Sequence, residues 1–329
     1  MKPLVSVVIP TYRRPELLGR CLEAMKRQRY ARTQFEVVVV DDGNDAETRA
    51  LVEAVAEETR RDKEPLQVRY LGQPVRRGPA AARNRGCREA RGWIVGFTDD
   101  DCIPAEDWIL NALDAFVEGA DVVSGKLKVP ISERPTDYER TAAFMESAEF
   151  VTANCFCLRS ALEQVGGFEE SFDIAWREDS DFQFKCIKCA LRIVRRNDVQ
   201  VEHPVRPTAW WACLKDEQKN RYDALLYKRH PDLFRERIPT YGGLVTIYYV
   251  IVLSFLLAML ATLAELEYIA FYGMMLWSAF TLVLIIRRLW GTTRSLSHLV
   301  QVMITSLVTP FLSVYWRLYG AFKYRTFYW

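Results

Sequence analysis

An α/β unit built on a doubly wound parallel sheet, followed by an α-helical membrane anchor, is the architecture this sequence predicts. Three observations predict it. Val- and Ile-rich runs alternate with amphipathic helical stretches through the first hundred residues, and strands apolar on both faces belong to parallel sheets covered on both sides. Several of these runs end in acidic residues. The last 89 residues hold only six Lys/Arg and two Asp/Glu, leaving 38 basic and 40 acidic side chains in the first 240.

The run at 4–9 is continuous and β-branched and stops at Pro10. Pro15 and Glu16 then introduce an apolar periodicity at Leu17, Leu18, Cys21, Leu22 and Met25, so a strand passes into a helix. The same reading places strands at 35–40, 67–71 and 93–98 and helices at 46–61 and 78–90. Farther on, 154–158 is strand-like, 181–191 helix-like and 199–202 a strand.

Sheets of this kind bind ligands beyond the carboxyl ends of their strands. The first strand ends at Pro10-Thr11-Tyr12, the second at Asp41-Asp42-Gly43 and the fourth at Asp99-Asp100-Asp101. A single acid after a strand serves a ribose hydroxyl or caps the next helix. Three consecutive carboxylates repel one another unless a cation sits among them, and hard oxygen donors select Mg2+ or Mn2+.

The near-neutral front part argues against broad nucleic-acid binding, which needs a basic excess to displace counterions. Half the residues are apolar, which excludes disorder. Met1-Lys2-Pro3-Leu4 leads straight into the first strand without an apolar signal-peptide core, so this unit is expected in the cytosol. Eight cysteines in a chain of this size do not suggest a disulfide scaffold. Cys155 and Cys157 alternate along a strand and Cys186 and Cys189 follow helical spacing, so buried core is favoured over zinc.

In the tail, residues 244–263, 268–286 and 299–316 are free of charge, each close to the ~20 residues a helix needs to cross ~30 Å of hydrocarbon. The first two read as spans, whereas Gln301 and Pro310 mark the third as kinked, tilted or re-entrant. Lys228, Arg229, Arg235 and Arg237 precede the first, Glu265 and Glu267 lie between, and Arg287, Arg288 and Arg294 follow the second. Basic residues stay inside, so the N-terminal unit is expected on the cytoplasmic face of a multi-pass protein of the plasma (inner) membrane. Arg317, Lys323 and Arg325 point the same way for the C-terminus, and the aromatics from Tyr315 to Trp329 suit an interfacial belt.

Six segments stand in order over about the first 205 residues: Leu4-Val-Ser-Val-Val-Ile-Pro-Thr-Tyr12, Val37-Val-Val-Val-Asp-Asp-Gly43, Gly78-Pro-Ala-Ala-Ala-Arg-Asn-Arg-Gly86, Phe97-Thr-Asp-Asp-Asp-Cys-Ile-Pro104, Gly166-Gly-Phe168 and Arg177-Glu-Asp-Ser-Asp181. With them the chain resembles the family 2 glycosyltransferases, whose fold is GT-A. The resemblance implies a UDP- or GDP-sugar donor. Pro10, Thr11, Tyr12, Asp41 and Asp42 would line its base and ribose pocket, Arg83 would meet phosphate or base edges, and Asp99 would hold ribose. Asp100 would lie beside the donor, and Asp101 or Asp100, with His203, would hold the metal that bridges the diphosphate. The strand of Asn154 and the Gly166–Phe168 turn would lead to the acceptor side. There Glu178 and Asp179 open a helix carrying the general base, Asp179 being favoured, with Asp181 a little farther along. Gln218-Lys-Asn-Arg221-Tyr222 resembles the Gln-x-x-Arg-Trp signature of processive sugar polymerases, with tyrosine in place of tryptophan. Tyr222 would then stack on an acceptor sugar, although the basic, Trp-containing stretch 206–229 is favoured as an interfacial helix on anionic lipid.

The resulting expectation is a GT-A domain at 1–205, an interfacial helix and linker at 206–240 and a membrane domain at 241–329. Its activity would be inverting transfer of a sugar to a hydroxyl of a glycan acceptor, lipid-linked in the favoured case. Two rivals are a polyprenyl-phosphate glycosyltransferase, whose nucleophile is already an anion, and an inert nucleotide-sugar-binding scaffold in a membrane assembly. The Gly78–Gly86 segment disfavours the first, and the full set of acids disfavours the second.

Overall fold

The computed structural model describes residues 3–238 and 243–328. Met1, Lys2, Trp329 and the joint between the expected 206–240 and 241–329 segments lie outside the described residues. In chain order the elements are β1 (Val5–Thr11), α1 (Pro15–Lys26), β2 (Phe35–Asp41), α2 (Ala46–Thr59), β3 (Gln67–Gly72), α3 (Pro79–Glu89), β4 (Ile94–Phe97), β5 (Ile103–Pro104), α4 (Trp108–Val117), β6 (Val122–Lys128), α5 (Asp137–Ala143), β7 (Cys155–Leu158), α6 (Arg159–Val165), α7 (Glu178–Lys188) and β8 (Ile193–Glu202). Beyond them come α8 (Ala212–Asp216), α9 (Arg221–Arg229), α10 (Pro231–Arg237), α11 (Leu244–Leu263), α12 (Glu267–Leu289) and α13 (Leu296–Tyr324). Two compact units result. One takes the chain to Pro130 and resumes at Ala143–Val205; the other joins Ile131–Ala142 to the chain from Arg206 onward.

The first unit holds an eight-stranded sheet in the order β3-β2-β1-β4-β7-β6-β8-β5. Its β3-β2-β1-β4 half is parallel, as the Val-rich runs predict. The other half is mixed, because β7 runs antiparallel to both β4 and β6, and β5 antiparallel to β8. The parallel pairing expected of the first four strands is present, and the mixed half adds strands whose direction the sequence does not carry: a four-residue strand such as Cys155–Leu158 has no pattern that reveals it.

Every residue of β1 and β2 is buried, and alternate side chains feed two cores. Val5, Val7 and Ile9 join Leu18 and Leu22 of α1 and Trp108 of α4, while Val8, Val38 and Val40 meet Ala80 and Ala82 of α3 with Phe97, Phe168 and Phe182. The small residues of α3 seat it close on the sheet. A Cβ on Gly86 would lie 2.3 Å from a Val8 methyl, so this helix reaches the strand ends at a fixed height and carries Arg83 with it. Cys155, Cys157 and Cys186 are free thiols within the second core, as the alternation and helical spacing suggest.

The second unit has the opposite pattern. α11, α12 and α13 are each long and apolar enough to cross a membrane. Their exposed residues include Leu256, Leu260, Phe271, Met275, Leu307 and Phe322, whereas Ser254, Thr281, Thr305, Ser306 and Ser313 are buried. Gly273 lets α12 approach α11, since a Cβ there would stand 3.0 Å from that of Ala258, a small-residue contact typical of helices packed in lipid. Of the kinked, tilted and re-entrant courses expected of the third segment, the re-entrant one is excluded, because α13 continues through Pro310 as one helix with one backbone donor lost there. The interfacial segment expected at 206–240 forms three short helices, α8 to α10.

Candidate active site

The end of β1 and the acids after β4 meet the start of α7 and the end of β8 in the first unit, beside the acids that end β2. Asp41 is fully buried and organises the loop after β2. Its carboxylate accepts from the Gly43 and Asp45 backbone N–H groups at 2.8 and 2.6 Å and from the Tyr70 hydroxyl at 2.8 Å. Asp42 accepts from Gln73 Nε2 and from the backbone N–H groups of Arg77 and Gly78 at 2.7–2.8 Å, and so delivers the chain to α3. A carboxylate offers about four acceptor positions, so three are taken in each. Gly78 stands at φ +90°, with its α-carbon so close to the Asp173 carbonyl that a Cβ would come within 2.4 Å; only glycine fits. The Tyr12 ring lies partly exposed beneath the Arg76 guanidinium, 4.3 Å from the ring centre. Pro10 is enclosed within β1 opposite Val40, so it shapes the strand end and offers no face to a ligand.

The three successive acids turn in three directions. Asp99 accepts from Arg83 Nη2 at 2.7 Å. Asp100 accepts from the Thr11 hydroxyl at 2.8 Å and from Arg14 at 3.3 Å, and burial followed by the charge of Asp101 pushes its pKa up to about 6. Asp101 faces His203 Nε2 at 3.5 Å. Arg83 is the hub. Almost wholly buried, it also donates from Nη1 to Glu178 Oε1 at 3.1 Å. Burial works against its charge, yet Asp99 and Glu178 hold its pKa above the usual value. Both terminal nitrogens are thus engaged within the protein, and Arg83 couples the loop after β4 to α7.

Arg177, at φ +73°, turns the chain into α7, whose first turn carries Glu178, Asp179 and Asp181 where acids suit the helix dipole. Glu178 is buried, and its Oε2 has no hydrogen-bond partner among the described residues. Asp179 is half-buried, with one oxygen accepting from the Ser180 N–H at 2.6 Å. Burial, and then the charge of Asp179, raises the pKa of Glu178; burial raises that of Asp179. The loop before α7 is fastened to α3 by Asn84, which donates to the Phe168 carbonyl and accepts from its N–H at 2.9 and 2.8 Å.

Two expected acceptor-side residues are not brought to this place. Asn154 is fully buried, donating to the Lys126 and Val199 carbonyls and accepting from Trp108 Nε1, and it ties strands together. Asp181 is also fully buried, 3.5 Å from Lys185 one helical turn on. Tyr222 belongs to the second unit, where it is fully buried and accepts from Arg221 at 2.7 Å. Conversely, Arg14, Arg76 and Asn84 were not singled out from the sequence. Their available signals were the arginine pairs that follow Tyr12 and precede Gly78, and the polar residue beside Arg83.

The residues around Asp101 suit a hard cation. A carboxylate, a thiol and an imidazole from Asp101, Cys102 and His203 have ligand atoms within 4.8 Å of one another, and His203 Nδ1 is buried without a hydrogen-bond partner. Burial and the charges of Asp99 and Asp101 push the Cys102 thiol up, so it stays protonated. The oxygen and imidazole donors that remain fit Mg2+ or Mn2+.

A parallel half-sheet continued by mixed strands, with acids grouped at the carboxyl ends, defines a nucleotide-sugar transferase of the GT-A class. The model of Glycosyl transferase family 2 matches residues 6–174, just over half of the chain, and the chain belongs to that family. Glycosyltransferase AglE of Haloferax volcanii is 28% identical over 219 residues, covering 62% of this chain and 68% of the relative. GalNAc(5)-diNAcBac-PP-undecaprenol beta-1,3-glucosyltransferase of Campylobacter jejuni is 28% identical over 119 residues, 36% of this chain and 35% of the relative. Among solved structures, mannosyltransferase PcManGT from Pyrobaculum calidifontis in complex with GDP-Man and Mn2+ aligns at a TM-score of 0.60 over 98% of this chain and 88% of that one. At 20% identity this is a likeness of fold.

Proposed function

We propose that this protein is an inverting, metal-dependent glycosyltransferase that moves a hexosyl-type sugar from a UDP- or GDP-linked donor to a hydroxyl of a lipid-linked glycan. It would work on the cytoplasmic face of the inner membrane, held there by the helices after residue 243. The observation that carries the reading is the meeting of two acidic clusters, Asp99–Asp101 and Glu178-Asp179, on one buried arginine.

Asp179 is suited to act as base because it is the less buried member of its pair, and its raised pKa makes it a better proton acceptor than an ordinary aspartate. The acceptor hydroxyl gives its proton to Asp179 as its oxygen bonds to the anomeric carbon, and the bond to the diphosphate breaks on the opposite side. One such displacement inverts the centre. Asp101 and His203, with Asp100 beside them, would hold the cation, which when bound supplies positive charge to the leaving diphosphate. Arg83 keeps the two clusters in register. Asp99 retains an oxygen for ribose, and Tyr12 offers a face to the base.

A lipid-linked acceptor is supported by the apolar helices and by the Campylobacter relative, whose name specifies a PP-undecaprenol substrate. The orientation is supported by the basic residues before α11 and after α12 and by Glu265 and Glu267 between them. A panel of nucleotide sugars, with and without Mn2+, tests the proposal. At least one UDP- or GDP-sugar is expected to raise the melting temperature only with the cation and to be consumed when a polyprenyl-diphosphate glycan is supplied. Protection by none of them would remove the catalytic reading.

A further inference from the structure

α13 has the length and hydropathy of a third span, but its neighbours within the C-terminal unit are those of a helix lying flat. Its enclosed side is the polar one, with His298, Thr305, Ser306, Thr309 and Ser313 buried, whereas Met303, Ile304, Leu307, Leu318 and Phe322 are exposed. Charged chain covers the polar side. Gln301 donates to the Trp210 carbonyl at 2.7 Å and Asn220 to Ser313 Oγ at 3.2 Å. Arg317 meets Asp223 at 3.4 Å and Asn220 at 3.2 Å. Gly320 makes room for the Arg221 backbone, which a Cβ would approach to 2.4 Å, and Lys228 donates to the Tyr324 carbonyl at 3.0 Å.

These contacts run from 301 to 324, about 35 Å of helix at 1.5 Å per residue, which matches the whole ~30 Å hydrocarbon layer. Along that length the covering chain carries Lys215, Asp216, Glu217, Lys219, Asp223 and Lys228. An upright α13 would drag those charges through the bilayer, at a cost of at least ~2.5 kcal/mol for each one near its centre. The end of α12 gives a second indication. Arg288, in its last turn, pairs with Asp137 at 2.8 Å and donates to Thr305 and Ser306 at 3.0 and 2.9 Å. An upright return after the loop at 290–295 would set Arg288 beside the first turn of α13, not more than two turns into it.

We infer that α13 is a membrane-surface helix that presses its apolar face into the boundary between lipid headgroups and acyl chains, leaving only α11 and α12 to cross. The occupant of that face is lipid: its exposed Leu, Ile and Met side chains continue the apolar surface of the α11–α12 hairpin, and Lys323 and Arg325 at its end suit anionic headgroups. Arg317, Lys323 and Arg325 then stay on the side of the residues preceding α11, as the distribution of basic residues requires. The inference rests on the membrane-anchor part of the proposed function.

The test uses the full-length protein in vesicles of phosphatidylethanolamine and phosphatidylglycerol, with a spin label at Leu307→Cys or Leu318→Cys and the wild-type chain labelled in parallel as background. Depth is read from collisions with oxygen and with a water-soluble nickel chelate. Eleven residues of upright helix separate the two labels by about 16 Å in depth; the inference expects less than half of that, and a larger difference overturns it. Labels shielded from both agents would mean that protein, such as a second copy of this chain, covers the face, which also overturns it. Failure of the underlying membrane reading is seen separately, as protein that does not sediment with the vesicles.

Discussion

The two acidic clusters that Arg83 joins are held in different ways. On the donor side each carboxylate has its own partner: Arg83 for Asp99, Thr11 and Arg14 for Asp100, and His203 for Asp101. On the acceptor side Glu178 is closed in by Arg83 while its neighbour Asp179 is the less buried of the two. Dividing three charges among separate partners lets them remain side by side and leaves Asp101 turned toward an imidazole, the arrangement of a cation site. Burying two neighbouring carboxylates instead raises the pKa of both, against the lowering pull of Arg83, an arrangement suited to accepting a proton. The difference is one of chemistry, and each side can be broken without the other.

Breaking the donor side should have the largest effect. Excess chelator, or Asp101→Asn, is expected to lower turnover by roughly 10³-fold or more, because a bound cation's stabilisation of a leaving diphosphate is worth several kcal/mol. Melting temperature without ligand should change little in the variant. Full turnover in chelator would show that the donor cluster is a structural feature with no cation role.

Breaking the acceptor side should spare donor binding. Asp179→Asn is expected to lower kcat by roughly 10²–10⁴, the usual contribution of a positioned acid or base, with nucleotide-sugar affinity unchanged by calorimetry. Reduced affinity at unchanged turnover would move Asp179 from the acceptor cluster to the donor cluster.

This contrast was only partly legible in the sequence. The Val-rich runs of β1 and β2 and the acids after them carried the parallel half-sheet and the donor cluster, because a strand buried on both faces leaves a continuous apolar signal. The antiparallel insertion of β7 left none, since direction is set by the connection and not by four residues. The bridge that Arg83 makes was hidden for a related reason: an arginine near a phosphate site and one that bridges Asp99 to Glu178 look alike until α3 and α7 are packed together. Asn154 and Asp181 lay close in sequence to the acceptor landmarks, but burial took them into the framework. In the second unit, hydropathy marked α11 to α13, yet it could not show that the polar stripe of α13 meets α9 and the residue before it, through Arg317 with Asp223 and Ser313 with Asn220.

The joint itself comes next in magnitude. Arg83→Met leaves Glu178 buried beside Asp179 with no counter-charge, and removing one partner of a buried ion pair costs about 3–5 kcal/mol. Chemical denaturation should show a loss in that range, with Arg83→Lys intermediate because a single ammonium cannot serve both carboxylates in the geometry of a guanidinium fork. A loss below about 1 kcal/mol would mean that the clusters are held independently.

The smallest effect is on the pH profile, and its signs separate the clusters. Asp179 works ionised, and burial raises its pKa, so the acid limb of kcat/KM should lie above the ordinary carboxylate range of about 4. The hydrogen bonds from Ser180 favour the ionised form; Ser180→Ala removes the hydroxyl's share, so the limb should move further up by a fraction of a unit. Glu178→Gln removes a like charge from the coupled pair, so the limb should move down. Thr11→Val alters only a partner of Asp100 and should leave the limb in place, although it perturbs the donor side. Rate profiles of the four proteins, taken at saturating cation and donor, check all three signs. A limb that follows Thr11→Val and ignores Ser180→Ala would place the controlling proton in the donor cluster and reverse the assignment of the base.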